Sequence, residues 1–269
     1  MDKLNLNEQQ MKIAEQMLAA CQQMDARGFV ANHDGNLSHR LEQNLYLVTP
    51  TAFAKRSITK EDLLLIDDSG KVLKGQHKVF SEWKWHQAIY KANPQVNSVC
   101  HAHPPYSMAW GLTGKDFGFS AIPESLVSLG GPLQLVPLPS PLTPSPEIER
   151  EVRVALDTSY AFLVQGNGVF AVGDHPEMSY LRVELVEQIV RAHFLAREIG
   201  SIKNLPSELV QELIQKRPPL KPEWQELKKF EPSVPVPVPE IKPTSSAITV
   251  EEIKSVIRRE IESLLQTQK

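Results

Sequence analysis

Two histidines separated by a single residue are the part of this 269-residue chain best suited to chemistry. His101 and His103 close an apolar segment that begins at Val96, and a Pro-Pro pair follows them. In a β-strand, side chains at i and i+2 project from the same face, so the two imidazoles are predicted to point together. Zn²⁺ prefers neutral nitrogen ligands, and Glu82, at the start of the preceding predicted helix, is placed to add a carboxylate. The alternative is an ordinary pair of histidines at the end of a strand.

The surrounding sequence alternates between strand and helix patterns. Helical periodicity predicts helices in residues 11–27, 81–93, 106–110, 145–156 and 176–199, and apolar or alternating runs predict strands in residues 45–49, 63–74, 96–103 and 161–173. The last of these runs is predicted to be a hairpin around Asn167, and residues 111–144 are predicted to form a Gly/Pro-rich loop. We therefore predict an α/β fold, a three-layer α/β/α body with a mostly antiparallel or mixed central sheet.

Composition excludes several classes of protein. The net charge is −3 and there is no long basic run, which argues against nucleic-acid binding. No stretch approaches the roughly 18 uninterrupted apolar residues of a membrane span, and the polar, then amphipathic, start lacks the apolar core of a signal peptide. Cys21 and Cys100 are the only cysteines and are predicted to be buried thiols rather than a disulfide. We expect a cytoplasmic protein.

Proline is concentrated in one segment near the end of the chain. Eight prolines lie between Lys216 and Ala247, and such a segment cannot form a helix or a central strand. The sequence therefore predicts a globular body in residues 1–215, an extended linker in residues 216–247, and a short amphipathic helix in residues 248–269.

A set of ordered motifs resembles the class II aldolase/adducin family. The motifs are "GNLS" (35–38), "VTPTA" (48–52), "ITKEDLLLID" (58–67), "FSEWKWHQAIY" (80–90), "VCHAHPPYS" (99–107) and "NGVFAVG" (167–173). Together they extend over nearly all of residues 8–200, in the order and spacing of that family. Its enzymatic members include zinc-dependent aldolases of L-fuculose phosphate and related sugar phosphates.

The resemblance implies roles for individual residues and an assembly. His101 and His103 match the paired zinc histidines, and Glu82 matches the glutamate that ligates the metal at rest and serves as acid/base at the substrate carbon. The segments that bind the substrate phosphate contain Gly35, Asn36, Thr51 and Ser81. The family also implies a homotetramer and a Zn²⁺ or other divalent cofactor.

The chain departs from the family pattern at three places. Asn167 stands where a third zinc histidine is usual, and an amide oxygen is a poor match for zinc. Ala52 and Phe80 replace a common glycine and a common serine in the phosphate segments. No tyrosine matches the one that some aldolases supply from a neighbouring subunit, and Glu124 lies in the aligned loop.

Two further side chains have two open interpretations each. Tyr106 is either part of the pocket lining or an ordinary core aromatic. His86, one turn after Glu82, either approaches the site or is packed and hydrogen-bonded.

The predicted terminal helix has its own pattern. Thr249 and Glu252 form a capping box, and an apolar stripe contains Val250, Ile253, Ile257, Ile261 and Leu264. Beyond a proline spacer, this layout resembles the encapsulation peptides that carry enzymes into bacterial microcompartments. The helix would then bind a shell or cargo protein. The alternatives are that it folds back on the body or pairs within the oligomer.

These observations predict a metal-dependent class II aldolase that cleaves a ketose phosphate such as L-fuculose 1-phosphate. The products would be dihydroxyacetone phosphate and an aldehyde, formed in the cytoplasm and within a microcompartment. Two alternatives stay open. One is a non-catalytic, adducin-like scaffold or adaptor, and the other is a pentulose-phosphate epimerase or decarboxylase of the same family.

Overall fold

A single mixed sheet organises the part of the chain that the computed structural model describes, residues 4–115, 117, 121–139 and 144–216. Its eight strands are β1 (Asn36–Glu42), β2 (Leu45–Val48), β3 (Leu64–Ile66), β4 (Val72–Lys74), β5 (Ser98–Ala102), β6 (Leu135–Val136), β7 (Ala161–Val164) and β8 (Val169–Gly173). They lie in the order β4-β3-β2-β1-β5-β8-β7-β6. Each neighbouring pair is antiparallel except β6 and β7, which are parallel.

The helices of the described residues cover both faces of this sheet. They are α1 (Glu8–Ala26), α2 (Trp83–Ala92), α3 (Pro105–Leu112), α4 (Pro123–Val127), α5 (Pro146–Thr158), α6 (Pro176–Ile199) and α7 (Ser207–Gln215). Helices α1, α3 and α6 pack together on one face, and α2 packs against α5 on the other. The predicted three-layer α/β/α body with a mixed sheet is therefore confirmed.

Strand β5 shows how the sequence separates the two cores. Cys100 and Ala102 are fully buried in the core beneath α1 and α6, whereas Val99 is buried in the core beneath α2 and α5. This alternation follows from the period of two in a strand. His101 shares the face of Val99, and its ring stacks on Phe170 with 3.9 Å between the ring centroids.

The helix ends follow local signals in the sequence. Asn7 and Gln10 form a capping box at the start of α1, with N–H···O distances of 2.9 and 3.1 Å. The Ser145 hydroxyl accepts from the Ile148 N–H at the start of α5, as its sequence predicts. Both cysteines are free and buried, as predicted, and burial raises the pKa of Cys21 to about 12.

The prediction of a loop throughout residues 111–144 is wrong in two places. Helix α4 and strand β6 form there, but with five and two residues they are too short to show a period. The prediction did not include α7 either. The predicted linker beyond Lys216 and the predicted terminal helix lie outside the described residues. Within the described ranges, no helix is long and apolar enough to cross a membrane.

Two glycines allow other segments to lie close to the end of β5. Gly35 has φ +71°, and a Cβ there would lie 2.9 Å from the carbonyl oxygen of His101. Gly168 has φ +71°, and a Cβ there would lie 2.2 Å from the carbonyl oxygen of Ala102. Because only glycine combines this backbone conformation with this closeness, the start of β1 and the β7–β8 turn both reach the end of β5.

Ala52 adopts a left-handed backbone conformation, with φ +63°. A Cβ in this region costs about 1–2 kcal/mol, and a glycine adds about 0.5–1 kcal/mol of chain entropy to the cost of folding. We therefore expect Ala52→Gly to raise the free energy of unfolding by about 0.5–1 kcal/mol, measured by urea denaturation. Ala54→Gly is the matched control, because Ala54 has φ −63° and should lose stability. A loss in both variants would contradict the strain at Ala52.

Candidate metal and acid–base site

Three side chains predicted to act together converge at the end of β5. The Nε2 atom of His101 lies 3.1 Å from Nε2 of His103 and 3.2 Å from Oε1 of Glu82. His101 is fully buried, whereas the side chains of His103 and Glu82 are 23% and 24% exposed. The cluster is therefore anchored in the core and reachable from solvent on one side.

The acceptor beside Nδ1 of each imidazole determines which tautomer is present. His101 Nδ1 lies 2.9 Å from the carbonyl oxygen of Val169, and a carbonyl can only accept, so Nδ1 carries the proton. His103 Nδ1 lies 3.3 Å from Oδ2 of Asp34 and is assigned the same way. Burial and the neighbouring His101 lower the pKa of His103, which favours its neutral form. With both rings neutral, the two Nε2 atoms present lone pairs to each other, and either a proton on one Nε2 or a bound cation relieves their repulsion.

This donor set fits a divalent cation. Two nitrogen lone pairs 3.1 Å apart repel each other unless a positive charge lies beside them. Ligands at 2.0–2.1 Å from a tetrahedral zinc lie about 3.3 Å apart, close to the spacings from His101 Nε2. Among the described residues, no group of three or more His, Cys, Asp and Glu side chains is arranged so that it could bind a metal ion. The match to a cation therefore depends on the distances from His101 Nε2 to His103 and Glu82 and on the tautomers of the two histidines.

The carboxylate of Glu82 is held by two amides. Asn36 donates from Nδ2 to Oε2 at 2.8 Å, and Asn167 donates from Nδ2 to Oε1 at 2.8 Å. Burial alone would raise the pKa of Glu82, but His101 and the two amide hydrogen bonds outweigh it and hold the pKa far below its ordinary value. Glu82 is therefore a fixed, ionised carboxylate, suited to bind a cation.

Asn167 lies in the β7–β8 turn. The sequence pattern suggested that its amide would be a weak third ligand for the metal. Its backbone N–H donates to Val164 at 2.9 Å, and its side-chain N–H donates to Glu82. In this arrangement the amide acts on the carboxylate, and its oxygen is the only atom of the side chain that could bind a cation.

The residues predicted to bind phosphate lie on neighbouring segments but are not equivalent. Thr51 N–H donates to the carbonyl of Lys78 at 3.0 Å, which brings the segment of Thr51 beside the segment of the exposed Ser81. Asn36 is 3% exposed, and both the nitrogen and the oxygen of its amide are hydrogen-bonded within the protein. Asn36 therefore contacts the carboxylate, while the Thr51 and Ser81 segments stay suited to a phosphate.

The two remaining candidates lie on helices. Tyr106 packs on α6, with its ring 5.7 Å from that of Phe194 and the guanidinium of Arg191 5.5 Å from its centre. Glu124 is exposed on α4, which packs against α6 and α7. The described contacts therefore support the core interpretation of Tyr106 and give Glu124 no contact that would assign it a role.

Sequence reasoning missed two charged residues beside the site. Asp34 precedes Gly35 and orients His103, and its position next to that glycine was the only signal. Lys55 is 2% exposed, and its Nζ donates to the carbonyls of His33 and Phe53 at 3.2 and 3.1 Å. Lys55 thus joins the loop before β1 to the loop after Thr51, and burial lowers its pKa. No local pattern predicts a buried lysine.

Comparison with known proteins identifies the family. The model of the Class II Aldolase and Adducin N-terminal domain matches residues 15–194, which is most of the described body. The chain therefore belongs to the class II aldolase/adducin family.

Several relatives within this family are enzymes. The chain is 30% identical to the 5-methylthioribulose-1-phosphate/5-deoxyribulose-1-phosphate aldolase of Escherichia coli O45:K1, over 61% of this chain and 75% of that protein. It is 29% identical to the L-fuculose phosphate aldolase of Escherichia coli K12, over 60% and 72%. It is 34% identical to the 3-oxo-tetronate 4-phosphate decarboxylase of Haemophilus influenzae, over 55% and 70%.

Solved structures share the fold. YgbL of Klebsiella pneumoniae, for which aldolase, epimerase and decarboxylase activities have been suggested, superposes with a TM-score of 0.68 at 25% identity. The alignment covers 78% of this chain and all of that one. An L-fuculose 1-phosphate aldolase superposes with a TM-score of 0.67 at 20% identity, over 76% of this chain and 95% of that one.

The fully buried imidazole of His86 should make stability depend on pH. Burial lowers its pKa to about 3, so between pH 3 and roughly 6.5 the unfolded chain binds a proton that the folded chain does not. The contribution of His86 to the free energy of unfolding is therefore fully present above the pKa of the imidazole in the unfolded chain. It is lost as the pH falls below that value, by about 2 kcal/mol at pH 5.

We expect His86→Gln to reduce the loss of unfolding free energy between pH 7 and pH 5 by about 2 kcal/mol, measured by urea denaturation at both values. His33→Gln is the control, because His33 is exposed and its loss should leave that difference unchanged. Equal pH dependence in wild type and His86→Gln would show that the imidazole does not stay neutral.

Proposed function

We propose that this protein is a metal-dependent aldolase that cleaves a ketose 1-phosphate, such as L-fuculose 1-phosphate, to dihydroxyacetone phosphate and an aldehyde. The observation that carries the proposal is the position of His101 Nε2, which lies 3.1 Å from Nε2 of His103 and 3.2 Å from the carboxylate of Glu82. Membership of the family and the aldolases among its relatives support the same reaction class.

A divalent cation held by His101, His103 and Glu82 would supply a Lewis acid that polarises the substrate carbonyl and stabilises the developing oxyanion. The residues of the chain supply the rest. In the direction of aldol addition, the ionised Glu82 accepts the proton from C3 of dihydroxyacetone phosphate, and the resulting enediolate attacks the aldehyde carbon. In cleavage, the ionised Glu82 accepts the proton of the C4 hydroxyl, the C3–C4 bond breaks to release the aldehyde and leave the enediolate, and Glu82 returns the same proton to C3.

The surrounding groups prepare Glu82 for this exchange. The amides of Asn36 and Asn167 donate to both carboxylate oxygens, which fixes the direction in which the base points. The segments of Thr51 and Ser81 offer hydroxyl and backbone donors to the substrate phosphate. General acid–base catalysis by a positioned carboxylate typically contributes ~10²–10⁴-fold to the rate.

A second candidate is a decarboxylase that acts on a 3-oxo acid phosphate. The relative with 34% identity carries that activity in its name. Loss of CO₂ next to a ketone leaves an enediolate of the same kind, so the same donors would serve. The two candidates differ in which bond breaks, and their products separate them.

The reaction is tested by incubating the metal-loaded protein with L-fuculose 1-phosphate, 5-deoxyribulose 1-phosphate and 5-methylthioribulose 1-phosphate. We expect dihydroxyacetone phosphate to form from at least one of these, and Glu82→Gln to lower kcat by ~10²–10⁴-fold. Glu15→Gln is the control, because Glu15 is exposed on α1. Release of CO₂ from 3-oxo-tetronate 4-phosphate, with no cleavage of any ketose phosphate, would replace the aldolase by the decarboxylase. A metal-loaded protein inactive in every assay would contradict both.

Metal binding is tested separately by competition with a chromophoric chelator. We expect His101→Ala to abolish stoichiometric Zn²⁺ binding, because it removes the nitrogen at the centre of the cluster. Asn167→His should tighten Zn²⁺ binding roughly tenfold or more, since a nitrogen ligand replaces an amide. Asn167→Ala is the matched control and should not tighten it. Unchanged affinity in both Asn167→His and His101→Ala would place the metal elsewhere.

A further inference from the structure

A continuous chain of short hydrogen bonds leads from the core to Glu82. Tyr90 O–H lies 2.7 Å from Ser38 Oγ, and Ser38 Oγ lies 2.7 Å from His86 Nδ1. His86 Nε2 lies 2.6 Å from Asn36 Oδ1, and Asn36 Nδ2 lies 2.8 Å from Glu82 Oε2. The four residues behind Glu82 are each at most 3% exposed, so water does not compete for these bonds.

Two sequence periods interlock to build this chain. On α2 and its cap, Glu82, His86 and Tyr90 are spaced by four residues and lie on one face of the helix. On β1, Asn36 and Ser38 are spaced by two residues and share one face of the sheet. The helix face covers the strand face, so the five polar side chains alternate between the two elements.

Because Glu82 can only accept, every hydrogen bond from Tyr90 to Glu82 has a defined donor and acceptor. The ionised Glu82 can only accept, so Asn36 must present its N–H to Glu82 and its carbonyl to His86. His86 must then donate from Nε2, which leaves Nδ1 to accept from the Ser38 hydroxyl. Ser38 in turn accepts from Tyr90. With a neutral His86, any other arrangement places two acceptors or two donors against each other.

We propose that His86 is a positioning residue for the aldolase site, which holds the Asn36 amide with its N–H toward Glu82. This role rests on the proposed function, but His86 orients the Asn36 amide already in the protein without substrate. Without the Nε2–H of His86, the carbonyl of Asn36 would be buried and unpaired, which is costly. The amide would then rotate or shift, and Glu82 would lose a donor and its fixed orientation.

Alternative roles for His86 do not account for its partners. As a mere filler, it would contact apolar side chains, and it does contact the rings of Phe80 and Phe170. Both of its nitrogens, however, are in short hydrogen bonds with polar side chains, and the one at Nε2 leads through Asn36 to Glu82. As a metal ligand, it would need a free nitrogen, and neither nitrogen is free.

The test compares two substitutions in the full-length protein. His86→Phe keeps a planar ring but removes both nitrogens, and His86→Gln keeps an N–H that can reach Asn36. The readouts are the Zn²⁺ dissociation constant by chelator competition, kcat and KM on the ketose phosphate, and the His86 tautomer by ¹⁵N NMR of metal-free protein. Tyr90→Phe is the graded control, because Ser38 can still donate to His86 without it.

We expect His86→Phe to weaken Zn²⁺ binding by about 10–100-fold and to lower kcat by a similar factor, with KM changed less than threefold. His86→Gln should recover most of both losses, and Tyr90→Phe should stay within about threefold of wild type. The NMR spectrum should show the Nε2–H tautomer.

Three results would overturn the role. One is a His86→Phe protein with metal affinity and kcat within twofold of wild type. The second is a folded His86→Gln protein as impaired as His86→Phe, and the third is an Nδ1–H tautomer. Failure of the aldolase proposal is a separate outcome: the wild type would not cleave any ketose phosphate, while the metal affinities and the tautomer would still behave as expected.

Discussion

Two imidazole nitrogens, His101 Nε2 and His103 Nε2, present lone pairs to each other across 3.1 Å, and the rest of the site depends on this contact. Neither ring can turn away, because Val169 and Asp34 occupy the opposite nitrogens. The contact is stable only with a positive charge beside it, which either a proton on one Nε2 or a bound cation would supply. The β7–β8 hairpin and the loop before β1 both serve this contact, since each contributes one of the two orienting acceptors.

The carboxylate of Glu82 shows how a reduced ligand set can still serve a reaction. Where the family usually has a third histidine, Asn167 instead donates an N–H to Glu82. Together with Asn36, it holds the carboxylate ionised in a largely buried place, which is the state in which a carboxylate can bind a cation. The turn of the hairpin therefore places an amide donor, rather than an imidazole, against the carboxylate of Glu82.

The sequence was sufficient for the parts of the site that depend on local spacing. The i, i+2 relation of His101 and His103 and the position of Glu82 at a helix start were enough to predict their convergence. The partners of Asn36 were not predictable in this way, because they arise only when β1 pairs with β5 and places Asn36 opposite His101. Lys55 was missed for a similar reason, since the two carbonyls that it joins are distant in sequence. The short elements α4 and β6 were missed because so few residues show no period.

The site is assembled from elements that differ in how easily they open. β5 is paired on both sides, with β1 and β8, so the amide of His101 can exchange its hydrogen with solvent only when the sheet itself comes apart. Glu82 caps the first turn of α2, where backbone hydrogen bonds are fewest. The backbone at the start of α2 can therefore open more easily than that of β5, although the side chain of Glu82 is itself held by Asn36 and Asn167. A ligand that binds at this cluster would therefore meet a backbone that can adjust at the start of α2 and one that is held by strand pairing at β5.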